Sequence, residues 1–127
     1  MKKILGVLMV LVMISINTSA QKANDQKLLR HVVLFKFTDG TSAADMKKVE
    51  DAFRALPAKI KEIKGFEWGT NNSPEKLNQG FTHCFFLSFS SEKDRDAYLP
   101  NPAHKAFGEV LTGLIDKVLV IDYWASN

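Results

Sequence analysis

The chain has 127 residues, with 17 Lys and Arg against 14 Asp and Glu and a formal charge of +3. That length holds one domain with its own core, not two. No Lys/Arg stripe interleaved with aromatics is present, which argues against a nucleic-acid partner. Cys84 is the single cysteine, so neither an intramolecular disulfide nor a Cys-based metal site can form.

The first twenty residues read as a signal peptide. Lys2 and Lys3 give a positive start, and residues 4–16 are apolar apart from Gly6 and Ser15. Thr18 and Ala20 supply small residues ahead of Gln21. This is the layout of a secretory leader. The apolar run is short of the roughly twenty residues that a spanning helix needs. The expectation is therefore cleavage after Ala20, a periplasmic or secreted location, and no membrane attachment afterwards. Residues 21–29 form a polar lead-in, and residues 30–127 form the domain. Without Lys2 and Lys3 the formal charge falls from +3 to +1.

His31–Phe37 is rich in branched and aromatic residues and predicts a first strand. Ser42 and Asp45 form a capping-box signal for the helix that follows. Met46, Val49, Phe53, Leu56, Ile60 and Ile63 recur at steps of three and four, which places them on one helical face. Pro57 should end or kink that helix near Leu56. Phe66–Thr70 reads as a second strand and Phe81–Phe89 as a third, with a polar loop between them. Ser91 and Asp94 repeat the capping signal for a short helix through Leu99. Asn101 and Pro102 then suit the cap and first turn of another helix, whose apolar face includes Ala106, Phe107 and Val110. Val118–Trp124 is the fourth strand.

The order βαββαβ predicts an α+β, ferredoxin-like fold with a four-stranded antiparallel sheet and helices on one face. The first strand is apolar on both sides of its pleat: Val33, Phe35 and Phe37 on one, Val32 and Leu34 on the other. Helices cover one face only. A bare apolar sheet would be a large exposed patch. We therefore expect a two-fold homodimer through the sheet face carrying Val32, Leu34, Cys84 and Phe86.

The segments His31–Phe37, Gly80–His83 and Tyr98–Phe107, with the closing run Val118–Tyr123, resemble the stress-responsive dimeric α/β-barrel (Dabb) family. The most specific piece is Pro102-Ala103-His104 shortly after Tyr98. The resemblance implies a ferredoxin-like protomer and a dimeric barrel. One member of that family is a plant cyclase of a linear polyketide acid. Its catalytic Tyr and His are matched here by Tyr98 and His104, and two cavity-lining His by His31 and His83. The sequence departs from the family at Asn101, where a further His is frequent.

These are the only three His of the chain. Strand alternation places His31 with Val33, Phe35 and Phe37, and His83 with Phe85, Leu87 and Phe89. If both look toward the helices, they meet Tyr98 and His104 around an apolar hollow, the usual build of a small-molecule site. The reading is cofactor-free acid–base chemistry, of cyclase or isomerase type, on a small, mainly apolar carbonyl compound. His104 is the base, Tyr98 the donor to oxygen, and His31, His83, Phe35 and Phe85 the ligand-binding residues. The alternatives are a hydrophobic ligand-binding module without turnover and a structural stress-response dimer. The His lie on separate elements with no close ligand pair, so no metal is expected.

Overall fold

A computed structural model describes residues 27–126; the expected leader and the start of the lead-in lie outside the described residues. In chain order the elements are β1 (Leu29–Phe37), α1 (Ala43–Arg54), α2 (Leu56–Lys59), β2 (Gly65–Thr70), β3 (His83–Phe89), α3 (Glu92–Tyr98), α4 (Pro102–Val110) and β4 (Ile115–Trp124). The strands form one antiparallel sheet in the order β2-β3-β1-β4, the ferredoxin-like arrangement.

Every second residue of β1 is buried, from Leu29 through His31, Val33 and Phe35 to Phe37, while the residues between are half-buried. β3 follows the same rule through His83, Phe85, Leu87 and Phe89, with Ser88 also buried. These sets face the helices. The α1 stripe packs on them, but not as one helix. The helix breaks at Ala55, and Pro57 sits in the first turn of the short α2. Val49, Phe53, Leu56, Ile60 and Ile63 are nonetheless all buried. Phe53 lies face to face on Phe85 at 4.1 Å between ring centroids, at the middle of an aromatic core.

Caps form at the predicted serines, in altered detail. Ser42 Oγ accepts from the Asp45 N–H at 3.1 Å, but the Asp45 carboxylate takes the Ser42 hydroxyl (2.9 Å) and Lys48 (2.8 Å). Lys48 first, then Ser42, lower the Asp45 carboxyl below its ordinary value. Ser91 Oγ caps α3 through the Asp94 N–H, and Asn101 Oδ1 caps α4 through the Ala103 N–H at 2.9 Å. Phe81 and Thr82 lie outside β3. The Phe81 N–H closes a turn on Asn78, whereas β4 starts three residues before Val118.

β4 is the least covered element. Val118, Leu119, Val120, Ile121, Tyr123 and Trp124 are all 41–51 % exposed. On the face away from the helices, Val32 sits between Phe86 and Ile121, and Leu34 between Cys84 and Leu119. This is the apolar face expected from the alternation. Burial there raises the Cys84 thiol above its ordinary value, with the Glu67 carboxylate adding to the shift.

Candidate functional site

A hollow of about 300 Å³ lies between the β1–β4 side of the sheet and the α3–α4 segment. His31, Val33 and Phe35 form its floor, and Tyr98, His104 and Phe107 close it from the helix layer. Val118 and Val120 of β4 complete the lining on one side, Leu99, Gly108 and Leu111 on another. Among the described lining residues, only His31, Tyr98 and His104 carry polar side-chain atoms. A mostly apolar hollow with a few convergent polar groups is the standard form of a small-molecule site, here at the small end of the range.

Tyr98 closes α3 and is 1 % exposed. Its ring lies 4.3 Å from that of His104 and 5.7 Å, edge-on, from that of His31. Every sealed polar side-chain atom among the described residues has a partner. The Tyr98 hydroxyl makes no hydrogen bond among the described residues and is not sealed, and Tyr98 lines the hollow. Burial pushes the Tyr98 phenol well above its ordinary value. It therefore stays protonated and acts as a hydrogen-bond donor.

The break at Pro100-Asn101-Pro102 brings His104 back over Tyr98. Its Nδ1 lies 2.9 Å from the Leu99 carbonyl, which can only accept, so Nδ1 carries the proton. Nε2 of the neutral ring is left with a lone pair. His31 is held in the same way: its Nδ1 donates to Asp122 Oδ1 at 2.6 Å, and Arg95 Nη1 donates to Asp122 Oδ2 at 2.6 Å. Among the described residues the His31 Nε2 has no hydrogen-bond partner, and it is not sealed, on a ring that lines the hollow. A carboxylate that orients an imidazole and fixes its tautomer is a common second layer of acid–base sites.

Three of the four expected polar residues thus converge, and the fourth does not. His83 Nε2 donates to Glu50 Oε1 of α1 (2.9 Å), and Nδ1 accepts from the Thr82 hydroxyl (2.9 Å). Both ring nitrogens are occupied, so His83 fastens β3 to α1. It borders a separate 260 Å³ depression with Thr70, Asn71 and Thr82. The reason is register. His31 pairs with Leu87, whereas His83 pairs with Phe35. The two His share a face but lie four residues apart along the strand, about 13 Å. Phe35 lines the hollow as expected; Phe85 is fully buried beneath Phe53 and does not.

Asp122 and Arg95 join the site through contacts that the sequence pattern does not single out. Asp122 carries a signal: it is the lone charge inside the apolar run Val118–Trp124. Arg95 carries none, since nothing in sequence spacing links it to a strand 27 residues away. Among the described residues, no group of three or more His, Cys, Asp and Glu gathers as metal donors.

Sheet order, split helices and hollow together define a ferredoxin-like α+β domain with a polar-tipped apolar site. The stress responsive A/B barrel domain model matches residues 29–125, and the chain belongs to that family. Among curated relatives, it is 39 % identical over 95 residues to the stress-response A/B barrel domain-containing protein HS1 of Arabidopsis thaliana, covering 75 % of this chain and 87 % of that protein. It is 27 % identical over 95 residues to olivetolic acid cyclase of Cannabis sativa, covering 75 % of this chain and 94 % of the cyclase. Among solved structures, a dimeric protein of ferredoxin-like fold from Bacteroides fragilis superposes with a TM-score of 0.64 at 28 % identity, over 77 % of this chain and 96 % of that one.

Proposed function

We propose that this is an exported, dimeric barrel protein that performs cofactor-free acid–base chemistry on a small, mainly apolar carbonyl compound. The observation that carries the reading is the Tyr98–His104 pair, 4.3 Å apart and opening with His31 on an otherwise apolar hollow. His104 Nε2 takes a proton from the carbon beside the carbonyl. The electron pair moves onto oxygen, where the protonated Tyr98 hydroxyl donates a hydrogen bond. The imidazolium then returns the proton to the product. His31, oriented by Asp122, accepts a hydrogen bond from a ligand donor. Likeness to a cyclase supports this chemistry, and the dimeric relative supports pairing through the apolar sheet face. Export rests on the charged start, apolar run and small residues of 1–20.

The apolar lining favours a second reading, a ligand-binding module without turnover. One experiment separates them. Apolar ketones such as acetophenone are incubated with the protein in D2O, and exchange of the protons beside the carbonyl is followed by NMR. An enzyme accelerates exchange, and His104→Ala lowers that acceleration by about a hundredfold or more. Binding without exchange, weakened in the variant by about 1 kcal/mol, identifies the binding module. A His104→Ala protein with full exchange activity removes His104 from the mechanism.

A further inference from the structure

The hollow has a floor on β1 and a roof on α3–α4, but its β4 wall is unfinished. Val118 and Val120 line it and remain 51 % and 49 % exposed. β4 is also a sheet edge, paired with β1 on one side and with nothing on the other among the described residues. From Val118 to Ile121 it presents four consecutive branched apolar residues. Natural edges are guarded by Lys, Pro, bulges or a covering element; here Lys117 and a register shift guard only the start of β4, and Val118–Ile121 has none of these among the described residues. The next charge, Asp122, is already taken by His31 and Arg95.

A second copy fits this edge because the chain carries both halves of the seam. The apolar open face around Leu34 and Phe86 runs into β4 through Leu119 and Ile121, so one two-fold contact covers both. The remaining sheet edge is β2. When two such sheets face each other across a two-fold axis that runs along the strands, β4 of each meets β2 of the other, and the eight strands can close without a free edge.

We propose that this closure also completes the hollow. The partner's β2 side, with the helix layer it carries, covers Val118 and Val120 and supplies the missing wall. The hollow then holds an apolar ligand only in the dimer. The proposal rests on the hollow being a ligand site, as read above.

The test uses the apolar fluorescent probe N-phenyl-1-naphthylamine, with Gly108→Leu as the variant that obstructs the hollow. Leu119→Glu places a charge on the open face, outside the hollow's lining. It should sediment as a folded monomer by circular dichroism and bind the probe at least about tenfold more weakly than the wild-type dimer. A folded monomer that binds with wild-type affinity, still blocked by Gly108→Leu, overturns the proposal and leaves the ligand-site reading standing. A wild-type dimer without binding sensitive to Gly108→Leu overturns the ligand-site reading itself. A Leu119→Glu protein that stays dimeric also overturns the proposed seam. If Leu119→Glu does not fold, wild-type protein is diluted through its dissociation. Affinity that falls with the dimer supports the proposal, and affinity that stays level overturns it.

Discussion

Burial at Tyr98 has two consequences, one for chemistry and one for stability. A phenol with a raised pKa donates a hydrogen bond and does not serve as a base near neutral pH. Its hydroxyl has no partner among the described residues, so Tyr98→Phe leaves no orphaned group among them. That variant should fold normally while ketone exchange falls by about a hundredfold, the typical loss of one oxyanion donor. The stability effect has a fixed sign. Above the ordinary Tyr value of 10.0 the unfolded chain ionises at this position while the folded chain does not. The unfolded state then binds fewer protons, so stability is complete below pH 10 and is lost as pH rises through the raised value. Thermal melts between pH 9 and 11 should show a smaller alkaline loss in Tyr98→Phe than in the wild type. Asp122 is tested separately. Asp122→Asn removes the charge shared by His31 and Arg95, and its single amide oxygen can accept from only one of them while its NH2 faces the other donor. Chemical denaturation should show a loss of about 1–2 kcal/mol, since both groups are mostly buried but not sealed.

At the scale of elements, α4 carries the lever that separates fold from site. Gly108 lies inside α4 and lines the hollow, and a Cβ added there meets nothing within 4 Å. Its backbone is not in the left-handed region, so an L residue adds no backbone strain there. Gly108→Leu should raise stability by about 0.5–1 kcal/mol through helix propensity. The same side chain obstructs the hollow, so thermal melting should rise while probe binding falls. A Gly108→Leu protein that binds the probe normally would place the ligand elsewhere. The elements themselves were legible because period and caps agree with the fold. The α1 stripe was buried even across the break at Ala55, and Ser42, Ser91 and Asn101 all cap where expected. Of the residues expected around one hollow, His31, Phe35, Tyr98 and His104 line it, whereas His83 and Phe85 do not. Alternation gives the face of a residue but not its height along the sheet, which depends on strand register. His83 was therefore placed on the correct face and in the wrong hollow. Asp122 escaped because strand pairing, not sequence spacing, brings it opposite His31.

At the scale of the whole molecule, one face of the sheet and its two edges, β2 and β4, have no strand or sheet over them among the described residues. Val32, Leu34 and Phe86 are half-buried, and their β4 neighbours Leu119 and Ile121 are 41 % and 50 % exposed. Leu34 lies centrally in this field, with Cys84 on one side and Leu119 on the other. In the proposed dimer it sits where no water reaches, so a carboxylate there has no partner and costs several kcal/mol. In the isolated chain the same position is half-buried and borders solvent, and the cost is much smaller. The two situations give different concentration dependences. A dimer that binds only folded chain makes the melting temperature rise with protein concentration. Wild-type melting should therefore climb across a hundredfold concentration series, and Leu34→Glu should melt lower, at a temperature independent of concentration. Sedimentation should show the wild type at twice the chain mass and the variant at the chain mass. A wild-type monomer, or a Leu34→Glu protein that keeps both the dimer and the concentration dependence, would move the interface away from this face.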